Sequence, residues 1–195
     1  MSIVPSTDPY QHFRTNDPHF VRDLLESDKH VRRVADRLRA ALGSGGPRVQ
    51  VQELKIRPDE SKMSEYSDDG DLRVGDQRVE CKRRNLQFTG PSDFPYPTCI
   101  VDVCHTFDAA RNTQTPILAY IIDSQDESGC VGVLTSTFDR WRAHTRHDRA
   151  KQRDRRFYEV AKELLCTFDE LVTVLNGGKA PFIPEPVCFF EQFRD

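Results

Sequence analysis

No stretch of this chain approaches the roughly 18 consecutive apolar residues of a membrane-spanning helix, so the sequence predicts no membrane partner. Cysteine occurs six times but never as CxxC, and the closest two, Cys99 and Cys104, are five apart. That spacing argues against both a zinc framework and a disulfide scaffold. Most of the cysteines lie inside apolar runs, as small buried thiols do. Residues Met1 to Ser6 lack a basic flank followed by an apolar run, so no secretory signal is read. Together these absences point to a reduced, cytoplasmic setting. A GxxxxGK[ST] phosphate loop is missing, which speaks against an NTP-driven motor. So is a GxSxG elbow. Charge of one sign is lacking too. Lys and Arg number 28 against 31 Asp and Glu, a net charge of −3. This excludes a uniformly basic nucleic-acid coat, but leaves room for a local basic patch.

What is present fits one domain of 195 residues with a real core. Residues 1–16 are polar and read as an irregular arm. A domain follows over 17–176, then a Pro- and Phe-rich tail over 177–195. Asp17-Pro18 reads as a helix cap with Pro at the first helical position. Phe20, Leu24, Val31, Val34, Leu38 and Leu42 recur at helical spacing up to Gly43. Val49 to Arg57 alternates as a strand ended by Pro58, and 59–70 is loop. Cys99–Val103 predicts a strand running into a short helix to Arg111. Ile117–Asp123 and Cys130–Leu134 predict buried strands, Phe157–Ala161 a last strand, and Thr167–Leu175 a short helix. The order is that of an α/β fold with one mixed sheet flanked by helices.

Two alternating runs, Asp71–Val74 and Gln77–Arg84, flank Gly75-Asp76, the signature of a two-residue hairpin. That turn sets Val74 against Gln77, Arg73 against Arg78, Leu72 against Val79 and Asp71 against Glu80. Leu72, Val74, Val79 and Cys81 then share an apolar face. Asp71, Arg73, Arg78, Glu80 and Lys82 share the other. Opposed residues have Cβ atoms about 4.5–5.5 Å apart, so two carboxylates placed so would repel unless a divalent cation joined them. Mg²⁺ takes a few carboxylates and several waters. Lys82, on the same face, is placed to hold a water or to offset charge on a phosphate. The other reading of this face is a solvated one, with its charges paired as Arg–Asp and Lys–Glu.

Acidic-x-Lys triplets also occur at Glu53-Leu54-Lys55 and Glu60-Ser61-Lys62, but only Glu80-Cys81-Lys82 has an opposed Asp on a hairpin. Asp71 followed by Glu80-Cys81-Lys82, after a helix and a first strand, resembles the PD-(D/E)XK nuclease superfamily, with its restriction-endonuclease-like core. The resemblance covers roughly residues 17–135. It implies a Mg²⁺- or Mn²⁺-dependent deoxyribonuclease. Asp71, Glu80 and Lys82 would be catalytic, and Asp71, Glu80, the Cys81 carbonyl and Glu26 of the first helix would hold metal. DNA ranks ahead of RNA as partner, and a homodimer is a form many such nucleases take. Two departures stand out: Gly70 in place of Pro before Asp71, and a short gap from Asp to Glu.

From Arg140 to Arg156 eight cations (Arg140, Arg142, Arg146, Arg149, Lys151, Arg153, Arg155, Arg156) face two aspartates, a local charge of +6. With Arg83 and Arg84 they are candidates for gripping phosphates. Trp141 and Phe157 flank the segment and could stack on a base. The other reading is a solvated helix or loop with Trp141 packed beneath it. His144 and His147, three apart, would suit two metal ligands on a helix face, but nothing completes that site. Two rivals to the nuclease stay open: a non-catalytic nucleic-acid-binding or scaffold module of the same fold, and a protein-interaction domain using Phe182, Phe189, Phe190 and Phe193.

Overall fold

Helix α1 spans Pro18–Leu42. Val31, Val34, Ala35, Leu38 and Leu42 form one stripe along it and are all buried. Gly43 ends the helix in the left-handed region at φ +68, its N–H bonded to the Arg39 carbonyl at 3.1 Å. The computed structural model describes residues 18–52, 70–148 and 153–180. The Asp17 cap, the 1–16 arm, the triplets at Glu53 and Glu60, Arg149, Lys151 and most of the tail lie outside the described residues.

Strands β1 (Val49–Val51), β2 (Leu72–Val74) and β3 (Gln77–Arg83) follow. The hairpin has the expected register, with Leu72 opposite Val79, Arg73 opposite Arg78 and Val74 opposite Gln77. Gly75 sits at φ +59 and Asp76 stays out of the left-handed region, the type II′ pattern. Next come β4 (Thr98–Val103), α2 (Cys104–Arg111), β5 (Ile117–Asp123) and β6 (Cys130–Leu134). The central sheet has the order β1-β2-β3-β5-β6. β3 and β5 are parallel, and the other neighbours are antiparallel. The chain is therefore α/β with a mixed central sheet and flanking helices, as its pattern of elements implies.

The chain forms more sheet than its sequence pattern announces. β7 (Arg142–Asp148) and β8 (Arg153–Ala161) form a hairpin, and β8 pairs with β4 to make a second sheet, β4-β8-β7. The described part of the basic segment from Arg142 on is thus strand, where a helix or loop was the other expectation. All of β7 is exposed except half-buried Asp148, so no apolar alternation betrays it. Its charges suit an edge strand, where they oppose pairing with another chain. α3 (Phe168–Leu175) closes the fold, capped reciprocally by Thr167 and Glu170.

Two apolar cores result. One lies between α1, α3 and the face of the central sheet carrying Leu72, Val79, Cys81, Ala119 and Ile121. The other joins the opposite face, through Tyr120, Ile122 and Val133, to the second sheet and α2. Phe107, Phe138, Trp141 and Tyr158 cluster there, with ring centroids 4.9–6.3 Å apart. Among the described residues, no helix is long and apolar enough to cross a membrane.

Candidate active site

Strand alternation sends Val79 and Cys81 toward α1, and Arg78, Glu80 and Lys82 toward the second sheet. Arg78 donates from Nε and Nη2 to Glu80 Oε1 at 3.1 and 2.9 Å. Both side chains are only 7% exposed. The charges do pair, but in a buried setting and not on a solvated face. Lys82 Nζ lies 3.9 Å from Glu80 Oε2 and 3.7 Å from Asp102 Oδ2.

Asp102 was not singled out from the sequence. It comes from β4, directly after a bulge between Ile100 and Asp102 on that strand. Its Oδ2 accepts from the Tyr120 hydroxyl at 3.1 Å, and its Oδ1 from the Val103 N–H at 2.8 Å. The signal was a lone carboxylate inside the apolar run Cys99–Val103. Burial pulls the Lys82 pKa down, but Asp102, Glu80 and Asp71 together lift it above the ordinary lysine value. Lys82 is therefore an ammonium at neutral pH.

Asp71 lies where the β2–β3 pairing ends. Its carboxylate Oδ2 accepts the Cys81 N–H at 2.7 Å, and its backbone carbonyl accepts the Gln52 N–H at 3.0 Å. The side chain thus continues the ladder past the last paired residue, Leu72. Gly70 precedes it at φ +90. A Cβ on Gly70 would lie 2.6 Å from Arg78 Nε, so glycine here makes room for the guanidinium that holds Glu80.

A cleft of about 490 Å³ opens beside Lys82 and Asp102; Asp71 and Glu80 are not among its lining residues. Lys82, Arg84 and Asp102 line one side, and Arg146, Asp148, Arg155 and Phe157 of the β7–β8 hairpin line the other. The fold thus brings the triplet and part of the basic segment together, although about 60 residues separate them in sequence.

The remaining candidates divide. Arg84 lines the cleft, but its Nη2 donates to the Ile100 and Val101 carbonyls at 2.8 and 3.1 Å, clamping β3 to β4. Arg146 pairs with Glu159 at 2.6 Å, and Arg155 with Asp148 at 2.8 Å. Register places Arg142, Arg146, Arg153 and Arg155 on one face of the second sheet, and Arg156 on the other. Arg140 is half-buried beside Trp141 and Arg142, away from Lys82. Arg83 points to the opposite side of the central sheet from Lys82 and pairs with Glu127 at 3.2 Å. Glu26 belongs to that side as well. It pairs with Lys29 at 2.9 Å and feels Arg83 and Arg33, so the structure does not bring it to Glu80.

Trp141 is buried, with its indole N–H donated to Thr137 at 2.9 Å, and is not placed to stack on a base. His144 and His147 sit on a strand, not a helix. Their odd spacing puts them on opposite faces, and His147 lies 3.0 Å from Asp154. Cys81, Cys99, Cys104, Cys130 and Cys166 are buried free thiols.

For a divalent cation, the Asp71 and Glu80 carboxylates and the Cys81 carbonyl are hard oxygen donors of the kind Mg²⁺ takes. Arg78 already engages one of the Glu80 oxygens. Among the described residues, no group of three His, Cys, Asp or Glu is arranged to hold a metal ion. No protein-family model, curated protein or solved structure matches the chain.

Proposed function

We propose that this chain is a metal-dependent nuclease of restriction-endonuclease-like fold that hydrolyses phosphodiester bonds, in DNA ahead of RNA. One observation carries the reading: the Lys82 ammonium lies between Glu80 and Asp102 in a cleft whose far wall bears Arg146 and Arg155. The cations of that wall favour a phosphate backbone without reading its sequence. Lys82, fixed as a cation, offsets charge building on the phosphate and orients a water by donating to it. Asp102 acts through Lys82 as a positioning residue, itself oriented by Tyr120. Asp71, Glu80 and the Cys81 carbonyl would hold Mg²⁺ or Mn²⁺, which supplies Lewis-acid polarisation of the phosphate and a more acidic bound water. The test is cleavage of linear, nicked, single-stranded and branched DNA with either cation. Wild type should cut at least one form. Lys82→Ala should lose about a hundredfold or more with unchanged circular dichroism, and Glu80→Gln should lose as much when assayed well below its own, lowered, unfolding midpoint. A wild-type protein that cuts none of them overturns the reading.

The Arg78–Glu80 pair favours a second reading, a nucleic-acid-binding module that does not cleave. A guanidinium satisfies the buried carboxylate with no metal present. Calorimetry with Mn²⁺ separates the two. The nuclease binds the ion and loses it in Asp71→Asn, whereas the module never binds it.

A further inference from the structure

The segment between β3 and β4 is irregular but tightly held. The Asp93 carboxylate accepts from the backbone N–H groups of Thr89 and Gly90 and from the Thr89 hydroxyl. Lys162 Nζ donates to the Ser92 and Phe94 carbonyls at 2.8 and 2.9 Å. Phe88 and Phe94 pack with ring centroids 5.1 Å apart. Gln125 N–H reaches back to the Leu86 carbonyl at 2.8 Å. Three prolines, at 91, 95 and 97, stiffen the backbone further.

From this fixed loop Tyr96 stands out, 53% exposed. Among the described residues it is the single large hydrophobic side chain left exposed. It borders a second cleft of about 350 Å³, with Phe94 and Pro97 beside it. Arg84, Ile100 and Arg146 line this cleft and also the one over Lys82. The two clefts therefore adjoin and form a composite groove across a shared wall, where Arg146 is 47% exposed.

We propose that this groove is a track for single-stranded nucleic acid, with an unpaired base stacked on Tyr96 and the backbone passing Arg146 toward Lys82. The inference rests on the nucleic-acid reading above and names the form of the substrate. An aromatic ring beside a cationic groove is the arrangement that binds single strands, because every base offers a π-face. A duplex keeps its bases stacked on one another and has none to give Tyr96. A ring on a pinned loop also loses little freedom on binding. The partly paired state of Arg146 and Arg155 tempers the groove's charge, so stacking is needed to complete the affinity.

The test is fluorescence anisotropy of the full chain with a labelled deoxyoligonucleotide, single-stranded or annealed to its complement, in EDTA so that nothing is cut. Wild type should bind the single strand more tightly than the duplex. Tyr96→Ala should weaken single-strand binding about tenfold and leave duplex binding unchanged, while Tyr96→Phe keeps the wild-type affinity. Equal binding of the two forms, or a Tyr96→Ala protein that binds the single strand like wild type, overturns the track. The readout needs no catalysis. Tyr96-dependent binding without Mg²⁺- or Mn²⁺-dependent cleavage would sink the nuclease and leave the track standing. Cleavage that is indifferent to Tyr96→Ala, with unchanged binding, would do the reverse. A wild-type protein that binds neither oligonucleotide overturns the track, while the nuclease stands or falls on the cleavage assay alone.

Discussion

Arg78 gives two hydrogen bonds to a single oxygen of Glu80, two residues further along the same strand. The pair is buried, and its geometry depends on the missing side chain at Gly70. Such a pair adds little net stability over an apolar replacement, but losing one member is costly because the other stays charged and out of water.

Arg78→Met should therefore lower stability by about 3–5 kcal/mol in urea unfolding. Arg78→Met with Glu80→Leu should recover most of that loss, since no orphaned charge remains. On the nuclease reading, Arg78→Met should also tighten Mn²⁺ binding in calorimetry, because the guanidinium and the metal compete for the same carboxylate.

Gly129→Ala should destabilise the chain by roughly 1–3 kcal/mol, the usual cost of overpacking a tight site. A Cβ there would run into the Phe88 carbonyl oxygen and Thr89 Cα, backbone atoms that cannot swing aside. Thermal unfolding measures the loss. Limited proteolysis should find the loop around Tyr96 cut sooner in the variant, because its anchorage against the β5–β6 turn is pushed apart.

Acid should weaken the fold through His30. The imidazole is 3% exposed, 3.6 Å from Asp123 Oδ2 and 3.5 Å from Glu127 Oε1. Burial holds its pKa below the ordinary 6.5, against the pull of Asp123 and Glu127, with Arg83 adding to the depression. A folded pKa below the unfolded one means that stability is complete above pH 6.5 and drains away as pH falls through the depressed value. Asp123 has the opposite sign. Burial raises its pKa above 3.8 despite Arg37, so acid relieves its cost. Urea midpoints should fall for wild type below pH 6.5 and change less for His30→Phe. Parallel midpoints for the two proteins would remove His30 as the cause.

The elements that could be read from sequence are those whose apolar residues keep a period. Val31 to Leu42 announced a helix, and Ile117–Asp123 and Cys130–Leu134 announced strands with the observed bounds. Gly75-Asp76 fixed the hairpin register, because a two-residue turn pairs Val74 with Gln77 and so sets Leu72 against Val79. β7 was invisible for the opposite reason: it buries almost nothing, and its pairing rests on main-chain bonds to β8. Asp102 was hidden because its partners, Lys82 and Tyr120, lie about twenty residues away in sequence on other strands. Glu26 falls outside the site because α1 covers the opposite face of the central sheet, which the sequence of one helix does not disclose.

The cleft lies on the seam between two sheets. Glu80 and Lys82 belong to one, and Arg146, Arg155 and Asp102 of β4 to the other. Lys82 and Glu80 therefore sit on one hydrogen-bonded frame and Arg146 and Arg155 on another, with Asp102 of the second frame meeting Lys82 at the seam. Lengthening or recharging the β7–β8 hairpin changes what the cleft can hold without shifting a single bond around Glu80. On the nuclease reading, a lineage exchanges its targets through β7 and β8 while Glu80 and Lys82 keep their places on the central sheet.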